Sequence, residues 1–222
     1  MLFVIDFDGT LSLRDSIDHL LKIYADPVWK DVEARWLAGE ISAVECMHQQ
    51  ISMVRADRLM LDAFFSSIEL DKEFLPFYHY VNDFAEVVII SDGLDHAIDL
   101  ALKSSGFPRL SVIANHLSFV SDGIHIDFPH RNPCCMGGNG VCKCAVAHRL
   151  SALVGGPVVL IGDGKSDACL AKEADFVFAK NSLIDHCQRC GISYTSFSSF
   201  TDILAVVRDW PQVPSICFSK FE

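Results

Sequence analysis

Positive charge is scarce in this 222-residue sequence. Lysine and arginine number 18 against 29 aspartates and glutamates, which gives a net charge of −11 at pH 7. Nucleic acids and anionic membrane surfaces are bound by basic patches, so this balance argues against both as partners. An anionic substrate would have to be attracted by local groups, such as a metal ion, a lysine or backbone amides.

Long apolar runs are missing as well. No stretch approaches the roughly 18–20 apolar residues that a membrane-spanning helix needs. The chain begins Met-Leu-Phe-Val-Ile-Asp, without the basic segment and cleavage site of a secretory signal, so we interpret residues 2–5 as a core strand. Hydrophobic residues make up 50% of the chain, which argues against disorder and suits one domain with a small insertion, or two modest domains.

Cysteine is plentiful by contrast, with nine residues. An odd number without a secretory signal predicts reduced thiols and a cytoplasmic location. Four cysteines lie within residues 134–144, at spacings unlike the usual Cys-x₂-Cys of zinc sites. A structural zinc ion, a redox pair and plain loop thiols all stay open for this loop. The cysteines predicted to pack as small buried hydrophobes are Cys46, Cys169, Cys187, Cys190 and Cys217.

The stretch with the clearest chemical meaning is residues 2–11, Leu-Phe-Val-Ile-Asp-Phe-Asp-Gly-Thr-Leu. Its apolar run indicates a strand buried on both faces. Asp6 ends the run, Asp8 follows two residues later, and Gly9 allows the chain to turn. Ligands of open parallel sheets bind beyond the carboxyl ends of strands. Two carboxylates placed there repel each other, and a divalent cation would relieve the repulsion.

The remaining pattern predicts an α/β fold. Residues 12–71 show apolar residues at helical spacing and no strand signal, which indicates a helical insertion after the first strand. Strands then alternate with helices, which predicts a Rossmann-like parallel sheet formed by residues 1–11 and 72–222, with residues 12–71 as a helical-bundle cap. The later strands are predicted at 86–90, 110–114, 157–162, 176–179 and 192–195, with a hairpin at 117–128 that turns at 121–123 and a tail from Trp210.

Polar residues at the ends of the predicted strands resemble the motifs of a known family. Residues 6–10 resemble the first motif of the haloacid dehalogenase-like phosphatases, and residues 91–93, Ser-Asp-Gly, resemble the second. Lys143 fits the third motif, and residues 162–167, which contain Asp163 and Asp167, resemble the fourth. The four motifs occur in the order that the family requires.

This resemblance implies a mechanism. Asp6 would attack the phosphate and form an aspartyl-phosphate, and Asp8 would protonate the leaving group and later activate water. A bound Mg²⁺ would neutralise the charge between the two anions. The implied metal ligands are Asp6, Asp8 through its carbonyl, Asp163 and Asp167, and the implied phosphate-binding groups are Lys143, Thr10, Ser91 and Gly93. Asp92 and Lys165 are predicted to be solvated or supporting charges.

The insertion resembles the cap of the phosphoserine-phosphatase-like branch of this family. Asp15 stands nine positions after Asp6, where that branch carries an acidic residue that contacts substrate. The arginine with which phosphoserine phosphatases bind the substrate carboxylate falls on Gln50. A buried carboxylate facing an amide would lose its ion pair, which argues against phosphoserine as substrate.

The middle of the chain resembles one subgroup of that branch, the enol-phosphate phosphatases of methionine salvage. The resemblance rests on residues 115–119, on residues 124–130, which read Ile-His-Ile-Asp-Phe-Pro-His, and on the cysteine-rich loop that ends at residues 142–144. A thioether substrate would suit methionine-rich walls, and Met47, Met53 and Met60 could supply them or be ordinary core residues.

The sequence therefore predicts a cytoplasmic, Mg²⁺-dependent phosphomonoester hydrolase, monomeric or homodimeric, that acts on a small phosphorylated metabolite. A phosphatase for phosphoserine or another amino-alcohol phosphate, and a phosphomutase, are open alternatives. A phosphate-binding regulatory module is a non-enzymatic alternative. The presence of Asp8 beside the other motif residues argues against it, because binding alone needs no acid and base.

Overall fold

A sheet of seven strands lies at the centre of the computed structural model, which describes residues 1–120, 123–135 and 137–210. The strand order is β4-β3-β2-β1-β5-β6-β7, and every neighbouring pair is parallel except β3 and β4. The strands are β1 (Leu2–Ile5), β2 (Glu86–Leu94), β3 (Ser111–Val120), β4 (Gly123–Asp127), β5 (Val158–Gly162), β6 (Phe176–Ala179) and β7 (Thr195–Ser196). The predicted α/β class with a Rossmann-like sheet is confirmed.

Strand β1 lies in the middle of the sheet and leads directly to the predicted ligand site at its carboxyl end. It pairs with β2 on one side and β5 on the other, and all four of its side chains are 0% exposed, as its apolar run predicts. The chain continues from β1 to β2 and β3 in one direction and later adds β5 on the opposite side of β1. The carboxyl ends of β1 and β5 therefore flank the point where the strand order reverses, which is where ligands of such sheets bind.

Nine helices accompany the sheet within the described ranges. They are α1 (Ser16–Tyr24), α2 (Trp29–Leu37), α3 (Ala43–Ser52), α4 (Arg58–Ser66), α5 (Phe74–Val81), α6 (Asp95–Ser104), α7 (Lys143–Val154), α8 (Ser182–Cys190) and α9 (Phe200–Arg208). Helices α1–α4 occupy the predicted insertion, and Ser12 and Leu70 pair as an isolated antiparallel bridge at its base. The division into a cap and a core at residues 12 and 71 stays a prediction. Each described helix is too short or too polar to cross a bilayer.

Local signals explain where the inserted helices begin. The Asp15 carboxylate accepts a hydrogen bond from the Asp18 N–H at 2.8 Å and caps α1. Ser42 and Glu45 form a reciprocal capping box at the start of α3. These contacts satisfy amide groups that the first turn of a helix leaves unpaired.

The inserted helices pack on the sheet and on α6 through a shared apolar cluster. Helix α4 lies against α6, and α3 lies against β4. A hydrogen-bonded pair, His96 Nε2 and Asp62 Oδ1 at 2.6 Å, joins α4 to α6 at the edge of this contact. The inserted residues of the cluster include Leu20, Ile51, Leu61, Phe64 and Phe65, and the sheet-domain residues are Leu94, Ala97, Leu117 and Ile126.

Three predicted elements differ from the structure. The strand predicted at 110–114 and the first hairpin arm are one continuous strand, β3. The polar residue Asn115 lies within this strand, where its side-chain nitrogen donates to the Asp92 carbonyl at 2.6 Å and its side-chain oxygen is buried without a hydrogen-bond partner. The helix predicted after β5 is two short 3₁₀ turns, and β7 covers Thr195–Ser196 rather than 192–195. The predicted turn at 121–122 and the tail beyond Trp210 lie outside the described residues.

Candidate active site

The end of β1 leads into a turn, Phe7–Leu11, in which Asp8 and Gly9 depart from helical backbone angles. Gly9 adopts a φ of 70°, which favours glycine. The Ser12 hydroxyl closes the turn, because it donates to the Phe7 carbonyl at 3.0 Å and accepts from the Gly9 N–H at 3.2 Å. The turn brings Asp6, Asp8 and Gly9 to the wall of one cavity.

Three carboxylates from distant parts of the chain meet beside this turn. Asp6, Asp163 and Asp167 each offer an oxygen, and these oxygens lie within 4.8 Å of one another, the only such group of acidic, His or Cys side chains among the described residues. The Asp167 Oδ2 atom accepts hydrogen bonds from the Asp163 and Gly164 N–H groups at 3.1 Å each. Asp167 is 0% exposed, whereas Asp6 and Asp163 line the cavity.

Lys143 lies behind the carboxylates rather than in the cavity wall. Its ammonium is buried and donates to Asp6 Oδ1 at 2.6 Å and to Asp167 Oδ1 at 2.5 Å. Burial lowers the pKa of Lys143, but the charges of Asp167 and Asp6 outweigh it and hold the pKa above its ordinary value. Burial, followed by repulsion from Asp167, raises the pKa of Asp6, and Lys143 opposes this increase.

The donor set fits a divalent cation. Three carboxylates and one ammonium leave two negative charges when all are ionised, which one divalent ion would balance. Hard carboxylate oxygens suit Mg²⁺. Two glycines leave room for these carboxylates. A Cβ at Gly9 would lie 2.5 Å from Asp163 Oδ2, and a Cβ at Gly162 would lie 2.5 Å from Asp167 Oδ2. No side chain larger than hydrogen fits at either position without displacing a carboxylate.

Asp8 has a different environment from the other aspartates. Its Oδ1 accepts a hydrogen bond from the Ser16 N–H at 2.7 Å, and a Cβ at Gly93 would lie 2.5 Å from its Oδ2. Burial, followed by the nearby charge of Asp15, raises the pKa of Asp8 to about 7. A carboxyl group with this pKa can be protonated at neutral pH, which a general acid requires.

The predicted phosphate-binding groups divide into two sets. Ser91 and Gly93 line the cavity, where the Ser91 hydroxyl accepts from the Gly93 N–H at 2.9 Å. Thr10 is 1% exposed and does not line the cavity, and its hydroxyl has no hydrogen-bond partner. The structure therefore places Ser91 and Gly93 in the same cavity wall as Asp6, Asp8 and Asp163, and leaves the Thr10 side chain buried outside that cavity.

Two residues that the sequence interpretation did not single out follow strand β6. The Lys180 ammonium donates to the Thr10 carbonyl at 3.2 Å, and the Asn181 amide donates to Asp163 Oδ2 at 3.0 Å. Because β6 lies beside β5 in a parallel sheet, polar residues after β6 reach the same edge. The strand predicted at 176–179 carries this signal, since polar residues follow it directly.

Asp92 and Lys165 have more definite partners than predicted. The Asp92 carboxylate accepts from the Val141 N–H at 2.7 Å, two residues before Lys143. The Lys165 ammonium lies 4.5 Å from the ring centroid of Trp36, a residue of α2, so it joins the loop between Asp163 and Asp167 to the insertion.

The cavity, of about 1140 Å³, lies between the strand ends and the insertion. Helix α3 contributes four residues at the spacing of one helix face, namely Ala43, Cys46, Met47 and Gln50. Gln50 is 7% exposed, and its side chain has no hydrogen-bond partner among the described residues.

Asp15 lines the cavity as predicted. Of the three methionines only Met47 does so, since Met53 packs in the apolar cluster and Met60 is 44% exposed.

Among the described residues of the cysteine-rich loop, no three possible metal ligands lie close together. All eight described cysteines are free, and Cys134 is exposed whereas Cys142 is buried. Burial raises the pKa of the Cys144 thiol to about 12, which disfavours the thiolate that zinc or oxidants require. Cys217 lies outside the described residues.

Comparison with known proteins is consistent with this geometry. Residues 3–172 match the model of the haloacid dehalogenase-like hydrolase family. The chain is 31% identical over 204 residues to a 2-hydroxy-3-keto-5-methylthiopentenyl-1-phosphate phosphatase of Bacillus cereus, covering 89% of this chain and 91% of that protein.

Two solved structures share the fold. A phosphoserine phosphohydrolase-like protein of Francisella tularensis is 19% identical with a TM-score of 0.68, covering 92% of this chain and 98% of that chain. A phospho-aspartyl intermediate analogue of phosphoserine phosphatase is 17% identical with a TM-score of 0.68, covering 92% and 97%. The chain belongs to the haloacid dehalogenase-like hydrolases, and within that family it is a phosphatase.

Alanine at Gly9 should disrupt the site beyond its effect on the backbone. Gly9 and Gly39 both have positive φ angles, but a Cβ at Gly39 meets nothing within 4 Å. We expect Gly39→Ala to lower stability by about 1–2 kcal/mol with activity retained. Gly9→Ala should lower stability further and reduce phosphatase activity at least about tenfold, because Asp163 must move. Thermal denaturation and phosphate-release assays measure both effects, and equal losses for the two variants would contradict this role of Gly9.

Asp8→Asn should stabilise the metal-free protein at alkaline pH. The folded-state pKa of about 7 exceeds the ordinary 3.8, so the stabilising contribution of neutral Asp8 is complete below pH 4 and is lost as pH rises to about 7. Above that pH the charged group is buried near other carboxylates. In EDTA at pH 8 we expect a Tm about 2–4 °C above wild type, a change that corresponds to roughly 1 kcal/mol. The difference should shrink at pH 5, and an equal difference at both pH values would disprove the raised pKa.

Proposed function

We propose that this chain is a Mg²⁺-dependent phosphomonoester hydrolase that acts on a small phosphorylated metabolite through an aspartyl-phosphate. The main support is the meeting of Asp6, Asp163 and Asp167 around the Lys143 ammonium at the reversal point of the sheet. We further propose a cytoplasmic location, which the free thiols support. A monomer and a homodimer are both compatible with a site that one chain completes.

Asp6 is the proposed nucleophile. It lines the cavity at the end of β1, and Lys143 holds one of its carboxylate oxygens. Asp6, Asp163 and Asp167 would hold Mg²⁺, with the Asp8 carbonyl as a further ligand. The ion would supply positive charge to the phosphate oxygens. The carboxylate of Asp6 then attacks phosphorus, the ester bond breaks, and the leaving oxygen departs from the opposite side.

Asp8 is the proposed acid and base. With a pKa of about 7 it can donate its proton to the leaving oxygen and, once ionised, accept a proton from the water that attacks the aspartyl-phosphate. The Gly93 N–H and the Ser91 hydroxyl, now bonded to each other, would turn to the phosphate oxygens.

The face of α3 in the cavity favours a leaving group that is uncharged and partly apolar. Met47 and Cys46 give helix α3 a sulfur-rich face, and the unpartnered Gln50 amide can bind a carbonyl or hydroxyl oxygen. The substrate in the name of the Bacillus cereus relative carries keto and hydroxy groups and a methylthio group, which matches this surface. We propose an enol phosphate of this type.

A second candidate is an amino-alcohol phosphate. Asp15, Asp18 and Glu33 line the same cavity, and their charges would suit an ammonium group on the leaving alcohol. Phosphoserine fits less well within this class, because its carboxylate would face Gln50 and these acidic side chains.

Asp6→Asn should abolish phosphate release, with a loss of at least about 10³-fold, because an amide cannot form the covalent intermediate. Asp31→Asn, on the exposed face of α2, is the matched control and should retain full activity. Release of phosphate from candidate enol phosphates measures the effect, with EDTA expected to stop wild-type activity and Mg²⁺, but not Zn²⁺, expected to restore it. Near-normal turnover by Asp6→Asn would exclude the covalent mechanism.

Gln50→Arg should change specificity. A guanidinium at this position would pair with a substrate carboxylate, so we expect kcat/KM for phosphoserine to rise about tenfold while that for a keto enol phosphate falls. Wild-type protein should hydrolyse phosphoserine poorly compared with the enol phosphate. A wild-type preference for phosphoserine would contradict the proposed role of Gln50.

A further inference from the structure

Asn181 is the only residue other than glycine with a positive φ among the residues that the structure describes. Its φ of 49° and ψ of −134° resemble the first central position of a type II′ turn, where glycine is strongly preferred. Backbone strain of this kind persists where the surroundings enforce it, often at functional sites. Glycine would relieve the strain, so the asparagine side chain must compensate for it.

The side chain of Asn181 contacts Asp163. Its amide nitrogen donates to Asp163 Oδ2 at 3.0 Å, on the oxygen that also lies against Gly9. The next two residues hold the main chain of the same aspartate: the Leu183 N–H donates to the Asp163 carbonyl at 2.9 Å, and the Ser182 hydroxyl donates to it at 3.4 Å. We refer to these residues as the 181–183 clamp.

The clamp restrains one side of the Asp163 carboxylate. Oδ2 is fixed between Asn181 and Gly9, and Oδ1 receives no hydrogen bond from the described part of the chain. Asp163 also lies near the amino-terminal end of α8, where the helix dipole favours negative charge. These contacts hold the Asp163 carboxylate in one orientation although two other carboxylates lie close to it.

We propose that Asn181 is a positioning residue that orients Asp163 toward the site shared with Asp6 and Asp167, and that its strained backbone is retained for this purpose. The inference rests on the proposed Mg²⁺ site. Outer-shell partners of metal ligands commonly change metal affinity 10–100-fold when they are removed. A purely structural asparagine at this position would instead affect stability and leave metal affinity unchanged.

Asn181→Gly separates the two roles because it removes the amide and relieves the backbone strain together. We expect the Tm of the metal-free protein in EDTA to be equal to or up to about 4 °C above that of wild type. The Kd for Mg²⁺, measured by calorimetric titration of the metal alone, should rise about tenfold. At saturating Mg²⁺, kcat should return to near the wild-type value.

Asn82→Gly is the matched control. Asn82 has an ordinary helical φ of −64° at the end of α5, so glycine there should lower the Tm without changing Mg²⁺ affinity. An unchanged Kd in Asn181→Gly, or a Tm and an affinity that fall together, would overturn the inference while leaving the proposed function intact. Failure of wild-type protein to bind Mg²⁺ would instead overturn the proposed Mg²⁺ site and the inference with it.

Discussion

The contact on which the site depends is the buried ammonium of Lys143 between the carboxylates of Asp6 and Asp167. Each of these charges would be costly to bury alone, and removal of one partner from such a group commonly destabilises a protein by several kcal/mol. The three residues come from the end of β1, the start of α7 and the turn after β5, so the group forms only when the strand order is correct. Formation of this buried ionic group therefore depends on the strand order, and its charges can be buried together only in that order.

The insertion is held to the sheet domain unequally on its two sides. Next to α6 and β3 it shares a continuous apolar cluster that contains large buried side chains such as Phe65 and Leu117. Near the carboxylates, the contact of Lys165 with Trp36 is a cation–π pair, worth about 0.5–1 kcal/mol when exposed. Burial of one large apolar side chain contributes about 1.5–3 kcal/mol. Of these two contacts, the one beside the carboxylates is thus the weaker.

Much of this arrangement follows from the sequence, for identifiable reasons. The apolar run before Asp6 marks a fully buried strand, and the tips of parallel strands converge, so Asp6 and Asp163 could be placed together without coordinates. Contacts made by single side chains across the fold carry no such periodic signal. Asn115 interrupts the apolar pattern of β3 in the sequence. Only the structure shows that the strand continues through this residue, with the Asn115 amide bonded to the Asp92 carbonyl. Likewise, nothing local to Asn181 reveals its positive φ, because its side-chain partner Asp163 lies 18 residues earlier in the sequence.

The proposed function places phosphate chemistry and substrate selection on different elements. The carboxylates and Lys143 are fixed by strand ends and by each other, whereas the face of α3 that contains Met47 and Gln50 lines the part of the cavity where we propose that the leaving group binds. The two regions meet at Asn115, whose amide nitrogen lies 2.6 Å from the Asp92 carbonyl and 3.6 Å from Met47 Sδ. Substitutions on α3 can therefore alter which ester fits while the ionic group behind Asp6 is unchanged. Because the Asp92 carboxylate also accepts from the Val141 N–H, a continuous series of contacts joins Met47 to the segment that leads into Lys143.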